Sequence, residues 1–234
     1  MKAYVIAIPK HKESQAAATN CINSSVSVKN DFKVIRFEAI TPDRVDDMLK
    51  HEKLSWNYPW EGEVLDFATG LRKKAYPTAN RMARVACALS HYHLWSACAH
   101  GATPYLVMEH DAIFTAKLDY NIIEKSKKLI ISINDPLYAT RKAREYKEAI
   151  LKSTSDQQGV VTAPYIDEMS VPQGLPGNSA YIIKPDGAKK MLELVKEYGL
   201  WPNDALMCRQ LISNIGCTKK FYTRVQGTRS TTTF

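Results

Sequence analysis

One stretch near the middle of the chain decides how it folds: PYLVMEHDAIF, residues 104–114. Tyr105 to Met108 are four consecutive apolar residues behind a proline, which predicts a short strand buried on both faces of a sheet. Glu109, His110 and Asp111 follow it directly. Ligands of open α/β sheets gather at the carboxyl ends of the strands, so these three polar side chains stand where a ligand would bind.

Two carboxylates one residue apart suit a hard cation. Glu109 and Asp111 can turn to the same side and offer oxygen ligands to Mg²⁺ or Mn²⁺, and such a cation could bridge two neighbouring phosphates. A structural alternative stays open at this point, with Asp111 capping the next turn and Glu109 in a salt bridge. The acid-x-acid spacing alone does not decide between them.

The rest of the chain alternates strand patterns with helix patterns. The predicted strands cover residues 3–8, 33–37, 104–108, 129–133 and 178–184, and the predicted helices cover residues 13–27, 41–49, 80–100, 141–152, 186–198 and 204–215. We expect Asn80 to cap the longest helix and Gly101 to end it in the left-handed conformation. This order predicts an α/β fold, a Rossmann-related α/β/α sandwich around a mostly parallel central sheet.

We expect one domain over residues 1–234. Two regions do not fit the alternation. Residues 55–75 show no clear period and are predicted to be irregular. Residues 140–175 are polar and then rich in proline and glycine, which favours a mobile insertion or flap, although a plain solvated helix is equally consistent with the first part.

Composition narrows the class of protein. The chain is 45% apolar and 24% charged, as expected for a globular protein. It has no apolar run of the roughly 20 residues that a membrane span needs and no signal-peptide pattern, so we expect a cytoplasmic protein. The five cysteines are an odd number without CxxC spacing, so neither a disulfide framework nor a zinc site is expected.

The net charge of +8 indicates a surface that attracts phosphate groups. A nucleotide, an anionic lipid or glycolipid, and a nucleic acid all carry such groups, and the charge does not choose among them. A solvated basic surface without a specific partner also stays open.

Four blocks of sequence, taken in order, resemble glycosyltransferase family 25, which contains lipooligosaccharide galactosyltransferases and collagen hydroxylysine galactosyltransferases. They are Cys87-Ala-Leu-Ser90-His91 with Leu94-Trp95, then Tyr105 to Ile113, then Asn178 to Leu192, then Pro202-Asn203-Asp204 with Met207. The resemblance spans residues 3 to about 207. It departs from the family at His110, where an acidic residue is usual, and in the opening loop, which lacks the usual arginine-rich stretch.

The resemblance implies a GT-A fold and assigns roles to the acidic residues. Asp111 would be the main metal ligand and Glu109 its partner or the acceptor of a sugar hydroxyl, with His110 as an added ligand. Asp204 would be the general base that takes the proton of the attacking hydroxyl in an inverting transfer. Capping of a helix by Asp204 stays open.

The resemblance also implies binding residues. Ser90 and His91 would brace the donor pocket or the acidic loop, with helix packing as the alternative for His91. Asn178 and Tyr181 would contact a sugar or the acceptor, or Tyr181 would pack in the core. Trp201 would stack on a sugar or fill a hinge. The expected clamps for the diphosphate are Lys10, Lys12, Arg224 and Arg229.

Together these features predict a metal-dependent enzyme that moves a sugar from a UDP-sugar to a surface glycan or lipooligosaccharide, with Mn²⁺ or Mg²⁺ as cofactor. One alternative is a DNA glycosyltransferase that acts on hydroxymethylated bases, which would have to be flipped out of the duplex. Another is a non-catalytic module that binds nucleotide sugars or nucleic acid.

Overall fold

The chain folds around a seven-stranded sheet in the computed structural model, which describes residues 1–156 and 159–227. The strand order is β2-β1-β5-β9-β7-β10-β8. The strands of this sheet are β1 (Lys2–Ala7), β2 (Val34–Glu38), β5 (Tyr105–Glu109), β7 (Ile130–Ser132), β8 (Val160–Thr162), β9 (Ala180–Ile183) and β10 (Ile215–Thr218).

Five of these strands run in the same direction. β1 pairs in parallel with β2 and β5, and β10 pairs in parallel with β7. β9 lies antiparallel between β5 and β7, and β8 is antiparallel at the edge. The predicted α/β class with a mostly parallel central sheet is therefore confirmed.

Helices cover both faces of the sheet. They are α1 (Lys12–Ser27), α2 (Val45–Glu52) behind a 3₁₀ turn at Pro42–Arg44, α3 (Arg81–Ala99), α4 (Tyr120–Lys125), α5 (Ala143–Lys152), α6 (Pro185–Tyr198) and α7 (Asn203–Leu206). The sequence from Tyr105 to Met108 in β5 is apolar because both faces of this strand are covered. Its Val107 packs into the core shared with α3 and α6, whereas Leu106 and Met108 pack into the core shared with α1.

The long helix α3 begins as predicted and ends differently. The Asn80 side chain accepts a hydrogen bond from the backbone N–H of Ala83 at 3.0 Å, which confirms the cap. At the other end the cap residue is His100, whose φ is −87°. Gly101 has no left-handed φ, so that prediction was wrong. The ring of His100 contacts the carbonyl of Ser96 at 2.8 Å, a local contact that serves this end of the helix.

Two further predictions were wrong. Residues 55–75 contain a hairpin, β3 (Glu63–Asp66) with β4 (Leu71–Lys74). The helix expected over residues 204–215 is only the four-residue α7. It stops because the chain turns to bond with residues 173–174: the N–H of Arg209 donates to the carbonyl of Gln173 at 2.9 Å, and Gly174 forms a bridge with Cys208.

The short strands β6 (Ala112–Phe114) and β11 (Thr223–Val225), which pair with each other, were not predicted. The region expected to be a mobile insertion contains α5 and β8, and β8 is the edge strand of the central sheet. Residues 157 and 158 of that region lie outside the described part of the chain, and its mobility stays a prediction. Among the described residues, no helix is both long and apolar enough to cross a membrane.

Candidate active site

Three carboxylates meet at the carboxyl edge of the sheet. Glu109 ends β5, Asp111 lies in the turn to β6, and Asp204 lies in the first turn of α7. The backbone N–H of Glu109 donates to the carbonyl of Ser179 at 2.9 Å, which ties the end of β5 to the start of β9. The charge of Glu109 acts on both other carboxyls. Residues almost 100 positions apart in sequence therefore form one acidic site.

Burial and mutual repulsion shift the pKa values of these carboxyls. Burial, followed by the charge of Glu109, raises the pKa of Asp111 to about 7, against an opposing hydrogen bond with Ser179. Burial also raises the pKa of Asp204, and Glu109 adds to this rise while the charge of Arg84 opposes it. Asp111 is thus held partly in its neutral form near pH 7, and Asp204 keeps its proton more readily than an ordinary aspartic acid.

Glu109 behaves differently because it has partners. Burial by itself would raise the pKa of Glu109, but His91, then His110 and Asn203, bring it below its ordinary value. The Nε2 atom of His91 lies 3.4 Å from Oε1 of Glu109. Glu109 is therefore the carboxylate of the site that keeps its negative charge.

A buried hydrogen-bond network of three side chains, His91, Tyr181 and Trp95, lies behind Glu109. The Nδ1 atom of His91 and the Tyr181 hydroxyl share a hydrogen bond of 2.8 Å, and Nε1 of Trp95 donates to the same hydroxyl at 2.8 Å. The three side chains are fully buried. This network fixes the orientation of the His91 ring, and the ring in turn positions the Glu109 carboxylate.

Burial bears on the predicted roles of three residues. Ser90 is fully buried, accepts from the N–H of Ile40 at 2.9 Å and donates to the carbonyl of Ala86 at 2.8 Å. Tyr181 and His91 are enclosed in the same way. The geometry fits the bracing role expected of Ser90 and His91 and the packing alternative for Tyr181, and contact of any of the three with a donor stays a prediction.

Unpartnered polar atoms are concentrated at this edge. Among the described residues, three buried side-chain atoms at this edge have no hydrogen-bond partner, namely Oδ1 of Asp111 and both amide atoms of Asn178, whereas His91 and Asn203 have the Glu109 carboxylate as their partner. A buried polar atom without a partner costs about 1–3 kcal/mol. Three such atoms in one place indicate that the site is built to receive a ligand.

The donor set suits a divalent cation. Glu109 and Asp111 offer carboxylate oxygens, and burial lowers the pKa of the neighbouring His110, with the charge of Glu109 opposing the shift, so a neutral ring nitrogen is available. Sequence reasoning missed Cys87, whose Sγ lies with a ring nitrogen of His91 and a carboxylate oxygen of Glu109 within a mutual 4.8 Å. The signal was the spacing of Cys87 and His91, which are four residues apart on one helix face.

Sequence reasoning also missed Gln226, which holds the acidic turn in place. Its Nε2 donates to the carbonyls of Ala17, His110 and Ala112 at 3.0, 3.1 and 3.3 Å, and its backbone N–H donates to the carbonyl of Asp111 at 2.7 Å. No sequence signal could have found it, because a glutamine that binds backbone carbonyls belongs to no motif.

The predicted phosphate clamps are scattered. Lys10 and Lys12 are exposed beyond the carboxyl end of β1, which lies next to Glu109 through the parallel register of β1 and β5. Arg224 is exposed on β11 and donates to the carbonyl of Val225 at 3.2 Å. Arg229 lies outside the described residues. The clamping role of these residues stays a prediction.

Two further predicted contacts have different outcomes. Asn178 is 7% exposed and has two unpartnered amide atoms beside the acidic turn, so it remains available to a ligand. Trp201 is fully buried: its Nε1 donates to the carbonyl of Tyr198 at 3.1 Å and the ammonium of Lys73 lies 4.5 Å from its ring. The packing alternative fits Trp201, and stacking on a sugar does not.

Comparisons with solved structures find glycosyltransferases at low identity. The galactosyltransferase LgtC, solved with donor and acceptor sugar analogs, is 11% identical over 93% of this chain and 73% of its own, with a TM-score of 0.42. The bifunctional glycosyltransferase WbbM is 10% identical over 92% and 38%, with a TM-score of 0.42. Mouse xyloside xylosyltransferase 1 is 11% identical over 91% and 80%, with a TM-score of 0.37.

No curated protein matches the chain by sequence. The model of glycosyltransferase family 25, described as an LPS biosynthesis protein family, matches residues 1–207. That match covers the acidic turn, the histidine behind it and Asp204, and it leaves out the segment that carries Gln226. The chain belongs to glycosyltransferase family 25.

Proposed function

We propose that this glycosyltransferase takes its sugar from a UDP-sugar and uses Mn²⁺ or Mg²⁺ held by Glu109 and Asp111, with His110 as a further ligand. The observation that carries the proposal is the raised pKa of Asp111, which burial and the charge of Glu109 bring to about 7. A half-buried pair of acids that repel each other is relieved by a cation between them. The unpartnered Oδ1 of Asp111 supports the same role.

The residues around the cation divide the remaining work. A divalent cation bound there would neutralise the diphosphate that leaves the sugar. His91 and its hydrogen-bond network with Tyr181 and Trp95 keep the Glu109 carboxylate in one orientation, and Gln226 keeps the turn of Asp111 in place. Asn178 has free amide atoms that suit sugar hydroxyls.

We propose Asp204 as the general base of a direct, inverting displacement. Burial and Glu109 raise its pKa, and a base works best when its pKa lies near the working pH. The helix cap of α7 is Pro202, not Asp204, although the Asp204 carboxylate does bind the backbone N–H groups of residues 204 and 205.

A glycan hydroxyl is the acceptor that the surroundings of Asp204 favour. The charge of Asp204 contributes, after burial, to the raised pKa values of Tyr58 and Tyr76, which places both rings beside it. Their ring centroids are 5.6 Å apart. Tyr58 is buried in the core and Tyr76 is half-buried, so Tyr76 is the ring of this pair that could pack on the apolar face of a sugar. For the alternative of hydroxymethylated DNA, the support is the net charge of +8.

A thermal-shift screen of nucleotide sugars with Mn²⁺, on wild type and Asp111→Ala, tests the proposal. We expect a UDP-sugar to raise the melting temperature of the wild type only when Mn²⁺ is present, and to leave Asp111→Ala unchanged. The same donor should then be hydrolysed slowly without an acceptor. A complete absence of shift with every nucleotide sugar and metal would refute the donor assignment.

The acceptor is tested separately with the donor that binds. A set of glycan acceptors and a hydroxymethylated duplex should be compared at low and high salt, because binding to a nucleic acid weakens steeply with salt. Sugar transfer to a glycan and none to the duplex is the expected result. Transfer to the duplex alone would replace the glycan acceptor with DNA.

A further inference from the structure

Three ligand atoms of different chemistry converge inside the site. Sγ of Cys87, a ring nitrogen of His91 and a carboxylate oxygen of Glu109 lie within 4.8 Å of one another. The first two come from neighbouring turns of α3 and the third from the end of β5. The rigid helix and the central strand of the sheet therefore hold the three atoms together without help from a loop.

His91 provides an independent sign that the cluster receives a ligand. Its side chain is fully buried, and Nε2 faces the Glu109 carboxylate, another member of the cluster, at 3.4 Å, which is longer than a good hydrogen bond. Its other ring nitrogen, Nδ1, is bonded to the Tyr181 hydroxyl at 2.8 Å. Metal-bound histidines show this arrangement, since the second nitrogen is bonded to a neighbouring group that fixes the ring.

Thiolate, imidazole and carboxylate are the ligands that Zn²⁺ uses, and three of them with an open fourth position form a common tetrahedral set. We propose that Cys87, His91 and Glu109 form a second metal site, specific for a thiophilic divalent cation such as Zn²⁺. It differs from the proposed Mn²⁺ site, whose ligands are the oxygens of Glu109 and Asp111.

Binding of the metal ion to Cys87 replaces the proton of the thiol with a sulfur–metal bond. The Cys87 thiol gives its proton to solvent as the sulfur–metal bond forms, and the proton that Nε2 of His91 holds towards Glu109 also leaves or moves to Nδ1, so that Nε2 binds the metal through its lone pair with one proton left on Nδ1, towards Tyr181. Burial, then the charges of Glu109 and Asp204, raises the pKa of the Cys87 thiol well above its ordinary value. The free protein therefore holds this sulfur as a thiol, and metal binding should tighten with rising pH.

The two sites share Glu109, so they compete. Two divalent cations that share the Glu109 carboxylate repel each other, so Zn²⁺ at Cys87 should weaken the binding of Mn²⁺. This consequence rests on the proposed function, whereas the existence of the thiophilic site does not. The site would make the transferase sensitive to free Zn²⁺.

Titration of the purified full chain with Co²⁺ tests the site directly. Co²⁺ binds in place of Zn²⁺ at zinc sites. A thiolate ligand of Co²⁺ produces a charge-transfer absorption band in the near ultraviolet, and oxygen ligands do not. We expect the band at one equivalent of Co²⁺ and its loss on addition of Zn²⁺. Cys87→Ser and Cys87→Ala should lose the band, and Cys217→Ser, a buried cysteine of β10, should keep it.

A band that is absent in the wild type, or that survives in a folded Cys87 variant, overturns the proposal. If neither Cys87 variant folds, Glu109→Gln decides in their place: it keeps the thiolate and should keep the band, with Co²⁺ affinity at least tenfold weaker. Unchanged affinity in Glu109→Gln would remove the carboxylate from the site and overturn the proposal as well.

Activity provides a second and separate measurement. With Mn²⁺ present, Zn²⁺ should inhibit the wild type competitively with Mn²⁺, and Cys87→Ser should need at least tenfold more Zn²⁺ for half-inhibition of its own rate. Inhibition that does not depend on Cys87 would contradict the competition. If no transfer is found with any donor, the proposed function fails, and the cobalt band still decides whether the metal site exists.

Discussion

The substitution Asp111→Asn should make the protein more stable while it removes metal-dependent transfer. The pKa of Asp111 is raised from an ordinary 3.8 to about 7, mainly by burial and then by Glu109. A carboxyl whose pKa is higher in the folded state binds its proton more tightly there than in the unfolded chain. Ionisation of Asp111 therefore works against folding.

The size and pH range of the effect follow from the shift. A pKa change of about 3 units corresponds to about 4 kcal/mol, at about 1.4 kcal/mol per unit, which is an upper bound because water and small movements relax a buried charge. The penalty is absent below pH 4, grows between pH 4 and pH 7, and is complete above pH 7. An asparagine never ionises and has the same shape, so it avoids the penalty throughout.

Urea unfolding of both proteins at several pH values, without added metal, measures this difference. We expect Asp111→Asn to exceed the wild type by about 1–4 kcal/mol at pH 8 and by less than about 0.5 kcal/mol at pH 4. Asp119→Asn is the control: Asp119 is an exposed helix cap where asparagine caps equally well, so a change below about 0.5 kcal/mol is expected at each pH.

Added Mn²⁺ should reverse the order. Mn²⁺ stabilises the wild type by binding to Asp111, and it should stabilise the Asp111→Asn variant much less. If Asp111→Asn were no more stable than the wild type at pH 8, or if the difference did not grow with pH, the idea that Asp111 is held in an unfavourable place for the cation would be refuted.

Three other changes test the surroundings of the site. Gln226→Ala removes three hydrogen bonds to the carbonyls around the acidic turn, and we expect a Mn²⁺ requirement about tenfold higher, or about 1.4 kcal/mol, in a titration of the transfer rate. Tyr181→Phe leaves Nδ1 of His91 without its buried partner and should lower the free energy of unfolding by about 1–3 kcal/mol in urea. Gly174→Ala would place a Cβ only 2.2 Å from the backbone oxygen of Asp204, so it should displace the proposed base, at a cost of about 1–3 kcal/mol in stability and with a larger loss in kcat than in donor KM.

The acidic turn could be predicted because its signal is local. Tyr105 to Met108 are apolar since both faces of β5 are covered, and the first polar residues after a strand of that kind lie at the binding edge of the sheet. The alternation of strands and helices predicted the fold class for the same reason. The prediction of a helix over residues 204–215 was wrong because the end of α7 depends on a backbone hydrogen bond from Arg209 to Gln173. No local sequence pattern contains this contact.

The support of the site was harder to predict. The contact between His91 and Glu109 joins a helix and a strand, and the fold alone brings them to 3.4 Å. The odd cysteine count without CxxC spacing predicts no zinc site, and the site proposed at Cys87 would be an exception to that prediction. A site with one cysteine, one histidine and one carboxylate from two elements has no such spacing, although the four-residue interval between Cys87 and His91 was visible.

The opposite pKa shifts of the two acids assign them different tasks. Glu109 stays charged because His91, His110 and Asn203 outweigh its burial, so it offers an ionised ligand before any cation arrives. Asp111 lacks comparable partners, and its repulsion from Glu109 leaves it partly protonated near pH 7. Cation binding must therefore displace a proton from Asp111, and Mn²⁺ affinity should rise with pH up to about pH 7 and then level off. One fixed charge next to one exchangeable proton lets the site hold its cation firmly only when that cation relieves the repulsion between the two acids.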